Sequence, residues 1–270
     1  MAASRLLTGV MLGALATAIV GAVGFSQIGQ AADRDSAAAL SARVAALETR
    51  MQRQEDARAI EKLTRAYGYY LDKKMWNEIV DLWSENGSVE ISARGLYKGK
   101  KSVATFFTKV MGGGSNGLKE GQLFEHLVLQ GIVDVDPDGL HAKGRWRALQ
   151  QVATLGRSAV LAEGPYENTY VKENGVWKFE SMHYYDSYHT DYSTGWVKGG
   201  QEMHGPNKDY PPDAPMTEVY DSYPGYYVPP YHYANPGSGR KWTAADTQKY
   251  KSNGITVGKG GADTVTSPGR

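Results

Sequence analysis

The chain contains no cysteine. Disulfides, thiolate nucleophiles and cysteine-ligated zinc or iron–sulfur centres are therefore excluded. The absence suits an exported protein with no disulfide framework. Net charge is also scarce, at +1 over 270 residues. No basic stripe marks a nucleic-acid partner, so none is expected. A phosphate loop is missing: "GLYKGKKS" ends in Gly-Lys-Lys-Ser, but three residues rather than four separate Gly95 from Gly99. The Gly112–Gly114 run has no lysine in place and reads as a hinge. There is no Gly-x-Ser-x-Gly elbow for a serine nucleophile. Proline is rare before Gly195 and frequent after it, with nine of eleven in the last third.

The N-terminus carries the one long apolar run. Arg5 precedes "LLTGVMLGALATAIVGAVGF", and small residues at Gly29 and Ala31 offer a cleavage site before Ala32. This pattern is a bacterial export signal, which predicts a periplasmic protein. The run is also just long enough to cross a bilayer, so an uncleaved segment would anchor the protein in the inner membrane. Residues 1–31 are assigned to this signal peptide or membrane anchor.

Residues 35–75 read as helix. Leu40, Val44, Leu47 and Met51 step by four, three and four, a short heptad seam within a stalk at 32–54. The seam either packs as an amphipathic face on the following domain or serves self-association into a dimer or trimer. Ile60, Leu63, Tyr67 and Tyr70 or Leu71 continue with helical period. Trp76, Ile79, Val80 and Trp83 form a further helical face, stopped by the turn residues of "SENG". "SVEIS" then reads as a strand and "KSVATFFTKVM" as a helix. Long alternating strands follow, joined by the turn signals Pro137-Asp138-Gly139 and Asn174-Gly175. The fold class is α+β: a cone-shaped barrel over residues 55–196, made of a curved antiparallel sheet with N-terminal helices on its concave face. Residues 197–270 form an extended Tyr/Pro-rich arm that wraps the domain or a neighbouring subunit, loosening from about Asn253. Ten of the eighteen tyrosines lie between Tyr185 and Tyr233, too aromatic for ordinary disorder.

The best candidate chemistry is acid–base. "YGYYLDKKMW" sets Asp72 among tyrosines, one helical turn from Tyr69 and Trp76. On "FEHLVLQ", alternation places His126 on one face with Val128 and Gln130. A histidine there is by default a core residue, but beside a desolvated aspartate it can move protons. Tyr67 brings a phenol to the same region. Tyr166, Asn168 and Tyr170 share a strand face that can hold hydroxyls or an oxyanion. Trp146 lies between Arg145 and Arg147. If the indole faces inward, both arginines face outward towards Glu163 and Glu167; in the opposite phase an arginine enters the pocket. His183, Asp186, His189 and Asp191 are a weak metal set and read better as polar loop residues, so no metal is expected. The expected catalytic residues are Asp72, His126 and Tyr67. Tyr70, Trp146, Arg147, Tyr166, Asn168 and His183 are the expected substrate contacts.

The helix "YGYYLDKKMWNEIVDLW", the strand "FEHLV" and the hairpin "GPYENTYVKENGVWKFESMH" resemble the SnoaL-like, scytalone-dehydratase-like branch of the nuclear transport factor two superfamily. The resemblance spans roughly residues 55–196. It implies a cone-shaped barrel, chemistry without a cofactor, and an acid–base pair at the positions of Asp72 and His126. Tyr67 matches a helix tyrosine of the bile-acid dehydratases in this branch. Leu71 departs from the tyrosine that scytalone dehydratases carry, Tyr166 stands near one of their asparagines, and their second histidine has no counterpart. The resemblance therefore does not point to scytalone as substrate. "PPYHYANPGSGR" resembles the arm of family members from aromatic-degrading bacteria. Among these, the diarylpropane lyases release water and formaldehyde from lignin-derived diaryl diols to give a stilbene. The resemblance thus implies a cofactor-independent lyase acting on a small hydroxylated aromatic. A simple dehydratase and a non-catalytic binding module are the alternatives.

Overall fold

The computed structural model describes residues 6–198 and 200–252, with side chains from Ser36 onward. The signal-or-anchor segment at 1–31 and the loose tail from Asn253 lie outside the side chains so described. Among the described residues, no helix is long and apolar enough to cross a membrane. Two compact units divide between Gln54 and Glu55.

Helix α1 runs from Leu6 to Asp72. In the first unit its residues from Ser36 onward are exposed on every side. Leu40, Val44, Leu47 and Met51 are 61%, 45%, 56% and 61% exposed. Within the first unit this face meets no other element. In the second unit the apolar face closes: Ile60, Tyr67 and Leu71 are buried at helical spacing, with Leu63 and Tyr70 packed alongside.

A turn with Lys74 at φ 53° leads into α2, Trp76–Asp81. Strand β1, Trp83–Ile91, starts earlier than its sequence suggests. Trp83 is a strand residue, and "SENG" is a register shift inside β1 rather than a turn after a helix. Gly87 permits it, because a Cβ there would lie 3.0 Å from the Phe179 carbonyl oxygen. Short β2, Leu96–Lys98, pairs back on β1, and α3, Gly99–Thr105, continues as a π-helical turn over Phe106–Met111. The long strands are β3 (Gln122–Val135), β4 (His141–Thr154), β5 (Ser158–Glu173) and β6 (Val176–Tyr184). Strand β7 is Tyr188–Asp191. Asn174 and Gly175, at φ 51° and 80°, make the primed turn that the twist of a two-residue hairpin favours.

The sheet order is β2-β1-β6-β5-β4-β3, with β7 also on β5. Strands β1 and β6 are parallel. The architecture is α+β with a mixed curved sheet, which corrects the all-antiparallel expectation. The parallel pair arises because β1 enters the sheet before the meander and is joined to β6 only through intervening elements.

Aromatic side chains fill the cone. The Tyr67 ring meets Trp83, Phe107, Tyr166 and Phe179 edge-on, with centroids 5.9–6.2 Å apart. Burying each such side chain is worth roughly 1.5–3 kcal/mol, and the edge-on geometry adds to it. The arm belongs to the same unit as the cone. Ala214 bridges to Leu96. Thr217 donates its N–H and hydroxyl to the two carboxylate oxygens of Glu90, at 2.7 and 2.8 Å. Its last described element is α4, Ala244–Lys249, started by a capping box between Thr243 and Asp246.

Candidate active site

Helix α1 and strand β3 touch at Gly68. A Cβ there would sit 3.0 Å from the carbonyl oxygen of His126 and 3.1 Å from Val128. This close approach, which a side chain would block, lets the last turn of α1 reach β3. Asp72 then accepts a 2.7 Å hydrogen bond from the main-chain N–H of His126. The aspartate thus holds the strand and not the imidazole. The ring turns inward, where its Nε2 meets the Tyr166 hydroxyl at 2.7 Å. The Tyr166 hydroxyl lies 3.4 Å from that of Tyr67. Asp72, His126, Tyr67 and Tyr166 therefore come together, in an order the sequence does not specify: carboxylate to backbone, imidazole to phenol, phenol to phenol.

Electrostatics sets these groups apart. Burial, with no carboxylate on the ring, lowers the His126 pKa to about 3, so the imidazole is neutral near pH 7. Its Nδ1 is buried without a hydrogen-bond partner among the described residues. Asp72 titrates above the usual carboxylate range. Desolvation is the main cause, partly offset by the His126 N–H; the charge of Glu125 adds to the rise and Lys73 opposes it. Burial also pushes both phenols, Tyr67 and Tyr166, upward, so they remain protonated. A cleft of about 290 Å³ opens along the α1–β3 contact, bounded by Arg65, Tyr69, Asp72, Glu125, His126 and Val128. That is near the lower limit of small-molecule sites.

Trp146 and Asn168 belong to an adjoining buried knot that centres on Tyr170. The Tyr170 hydroxyl receives the Trp146 indole N–H at 2.9 Å and the Asn168 amide at 3.2 Å, and pairs with Thr64 at 2.9 Å. Burial raises its pKa to about 12. Asn168 Oδ1 is also buried without a partner among the described residues. Tyr170 has the alternation of Tyr166 and Asn168, which was the signal for its inward phase. Its role as a hub depends on Thr64, which no strand pattern reveals.

Three expected contacts lie elsewhere. Trp146 faces inward, so Arg145 and Arg147 face outward and pair with Glu167 and Glu163 across the hairpin. Arg147 therefore lies outside the Asp72–His126 cleft. His183 projects from the outer face of β6, 3.4 Å from Glu90 and stacked on Tyr185 at 3.8 Å, beneath the arm. Tyr70 packs into the core edge, and Tyr69, 74% exposed, is the tyrosine at the cleft. Gln130 also leaves the inward face. A bulge between Leu129 and Ile132 turns it out, where it accepts from Arg147 at 2.7 Å. Among the described residues, no three His, Asp or Glu side chains converge as metal ligands.

No curated protein matches the chain. Solved structures that resemble it include a protein from Novosphingobium aromaticivorans provisionally named a scytalone dehydratase. That structure is 21% identical, covers 58% of this chain and 96% of its own, and has a TM-score of 0.46. The hexachlorocyclohexane dehydrochlorinase LinA-type3 from Novosphingobium barchaimii is 19% identical, covers 52% and 92%, and has a TM-score of 0.46. An NTF2-like protein with a cystatin-like fold, also from N. aromaticivorans, is 18% identical, covers 52% and 87%, and has a TM-score of 0.40. Residues 52–183 match the family described as a SnoaL-like domain.

Proposed function

We propose that the protein is a cofactor-independent lyase that eliminates water from a small hydroxylated aromatic by acid–base catalysis. The observation that carries this reading is the unpartnered Nδ1 of a buried, neutral imidazole beside an aspartate whose carboxyl holds its proton more tightly than usual. Buried polar atoms without partners are rare and call for an occupant. In the tautomer that donates Nε2–H to Tyr166, Nδ1 is a free lone pair and serves as the base. It removes a proton from substrate carbon or from a hydroxyl next to the breaking bond. The released electron pair forms the new double bond, and the departing hydroxyl takes the Asp72 proton and leaves as water. Solvent in the cleft returns the proton from His126 to Asp72. Tyr67 and Tyr166 stay neutral and orient the imidazole.

The finer reading is a lignin-derived diarylpropane diol as substrate. There the proton is taken from the terminal hydroxyl, and carbon–carbon cleavage releases formaldehyde with water to leave a stilbene. Tyr69 is the aromatic side chain of the cleft, and one ring of the substrate would lie along it.

A second reading rests on the Asp72 bond to the His126 main chain. That bond is structural, and it suits a module that binds an aromatic without transforming it.

Mass spectrometry of the full-length protein incubated with phenolic diaryl diols and no added cofactor tests these readings. Loss of water plus formaldehyde supports the diol lyase, and loss of water alone a dehydratase. Retention of a ligand with unchanged mass favours the binding module.

A further inference from the structure

The exposed seam on α1 has a charge pattern that selects its partner. With Leu40 and Leu47 at d, the a positions are Val44 and Met51, and all four are exposed. The flanking positions then divide by sign. Arg43 and Arg50 fall at g, and Glu48 and Glu55 fall at e. None of these four makes an ion pair within its own chain among the described residues. In a parallel, in-register pair, each g residue meets the e residue five positions later on the partner. The two spacings, Arg43 to Glu48 and Arg50 to Glu55, both satisfy this rule. An antiparallel pair would oppose arginine to arginine and glutamate to glutamate.

We infer that this face docks a second copy of the same chain as a parallel, in-register coiled coil over residues 36–55. Valine at a with leucine at d favours two strands over three. The seam extends only about 30 Å at 1.5 Å per residue. It is therefore a weak clamp that sets the order and direction of two chains, not a rigid rod.

The absence of cysteine makes the test direct. Leu40→Cys, Leu47→Cys and Thr49→Cys each introduce the only thiol of the full-length protein, which is held in mild detergent and oxidised. Leu40→Cys and Leu47→Cys should both cross-link to dimers. Thr49→Cys, on the outward f position, should do so at least about tenfold more slowly. An antiparallel pair could bring at most one of the two seam positions to itself, so cross-linking at only one overturns the proposal. So does equal cross-linking at Thr49, or none anywhere. The charge pattern has its own test on the Leu47→Cys background. Arg43→Glu with Arg50→Glu, and separately Glu48→Arg with Glu55→Arg, should each lower dimer yield about tenfold, and mixing the two variants should restore it. Failure of mixing to restore the yield overturns the pairing. Both readouts are independent of turnover, so neither depends on the lyase reading.

Discussion

Asp72 binds the main-chain N–H of His126 at 2.7 Å, while the imidazole of the same residue points the other way to Tyr166. One residue is thus held by a carboxylate through its backbone and by a phenol through its ring. The aspartate has two separable duties, and they predict different consequences for different substitutions.

Asp72→Asn keeps an oxygen to accept the His126 N–H but cannot deliver a proton. It should fold normally by circular dichroism and lose turnover by about 10²–10⁴-fold. Asp72→Ala should lose the same activity and also about 1–3 kcal/mol of stability, because the half-buried N–H is left unpaired. Denaturant unfolding beside steady-state kinetics separates the two effects. Full activity in Asp72→Asn would remove the aspartate from the chemistry.

Tyr166→Phe deprives His126 Nε2 of its partner inside the cone. The expected cost is about 1–3 kcal/mol, with a fall in kcat larger than any rise in KM. The imidazole would be disoriented, while the cleft face that meets substrate would be unchanged. A change confined to KM would instead place Tyr166 on the substrate.

His126 also predicts a pH dependence of stability. Its pKa is lowered from 6.5 unfolded to about 3 folded. Between those values the unfolded chain binds the extra proton, so stability falls as pH drops through this window. The contribution approaches 1.4 kcal/mol per pH unit, roughly, once below 6.5. Asp72, Glu90 and Asp186, all raised by burial, push in the opposite sense at the acid end. Comparison of wild type with His126→Gln isolates the histidine: the wild-type slope between pH 6.5 and 5 should be the steeper of the two. Parallel slopes would mean that the ring is protonated in the folded state.

Arg147→Ala should change kcat/KM by less than about twofold, since the side chain is half exposed on the outer face and pairs with Glu163. Gly131→Ala should do far more. A Cβ there would run into the Trp146 indole. The expected loss is about 1–3 kcal/mol, the usual cost of overpacking, together with an altered near-ultraviolet tryptophan signal.

Much of the cone was legible in the sequence because its signals are local. Asn174-Gly175 specifies its own turn, and Ile60, Tyr67 and Leu71 mark their face by spacing alone. What the sequence hid depends on distant partners. Gln130 obeys strict alternation up to a bulge that exists because the next residue must lie flat on Trp146, a contact across strands. Whether Arg147 or Trp146 faced the pocket was undecidable within β4, since either phase alternates equally well. The cross-strand glutamates and the buried indole decide it together. His183 was expected at the substrate, but the parallel neighbour that pairs it with Glu90 is far away in the chain and leaves no trace in the local pattern. Trp83 has the spacing of a helix residue, yet strand pairing with β6 claims it.

The arm has a consequence for where the chain could be shortened. Glu90 is 2% exposed, and Thr217 satisfies both of its carboxylate oxygens. A chain cut before Thr217 would leave that acid on the outer face of β1 without these two donors, so the arm is structurally part of the cone rather than an appendage to it.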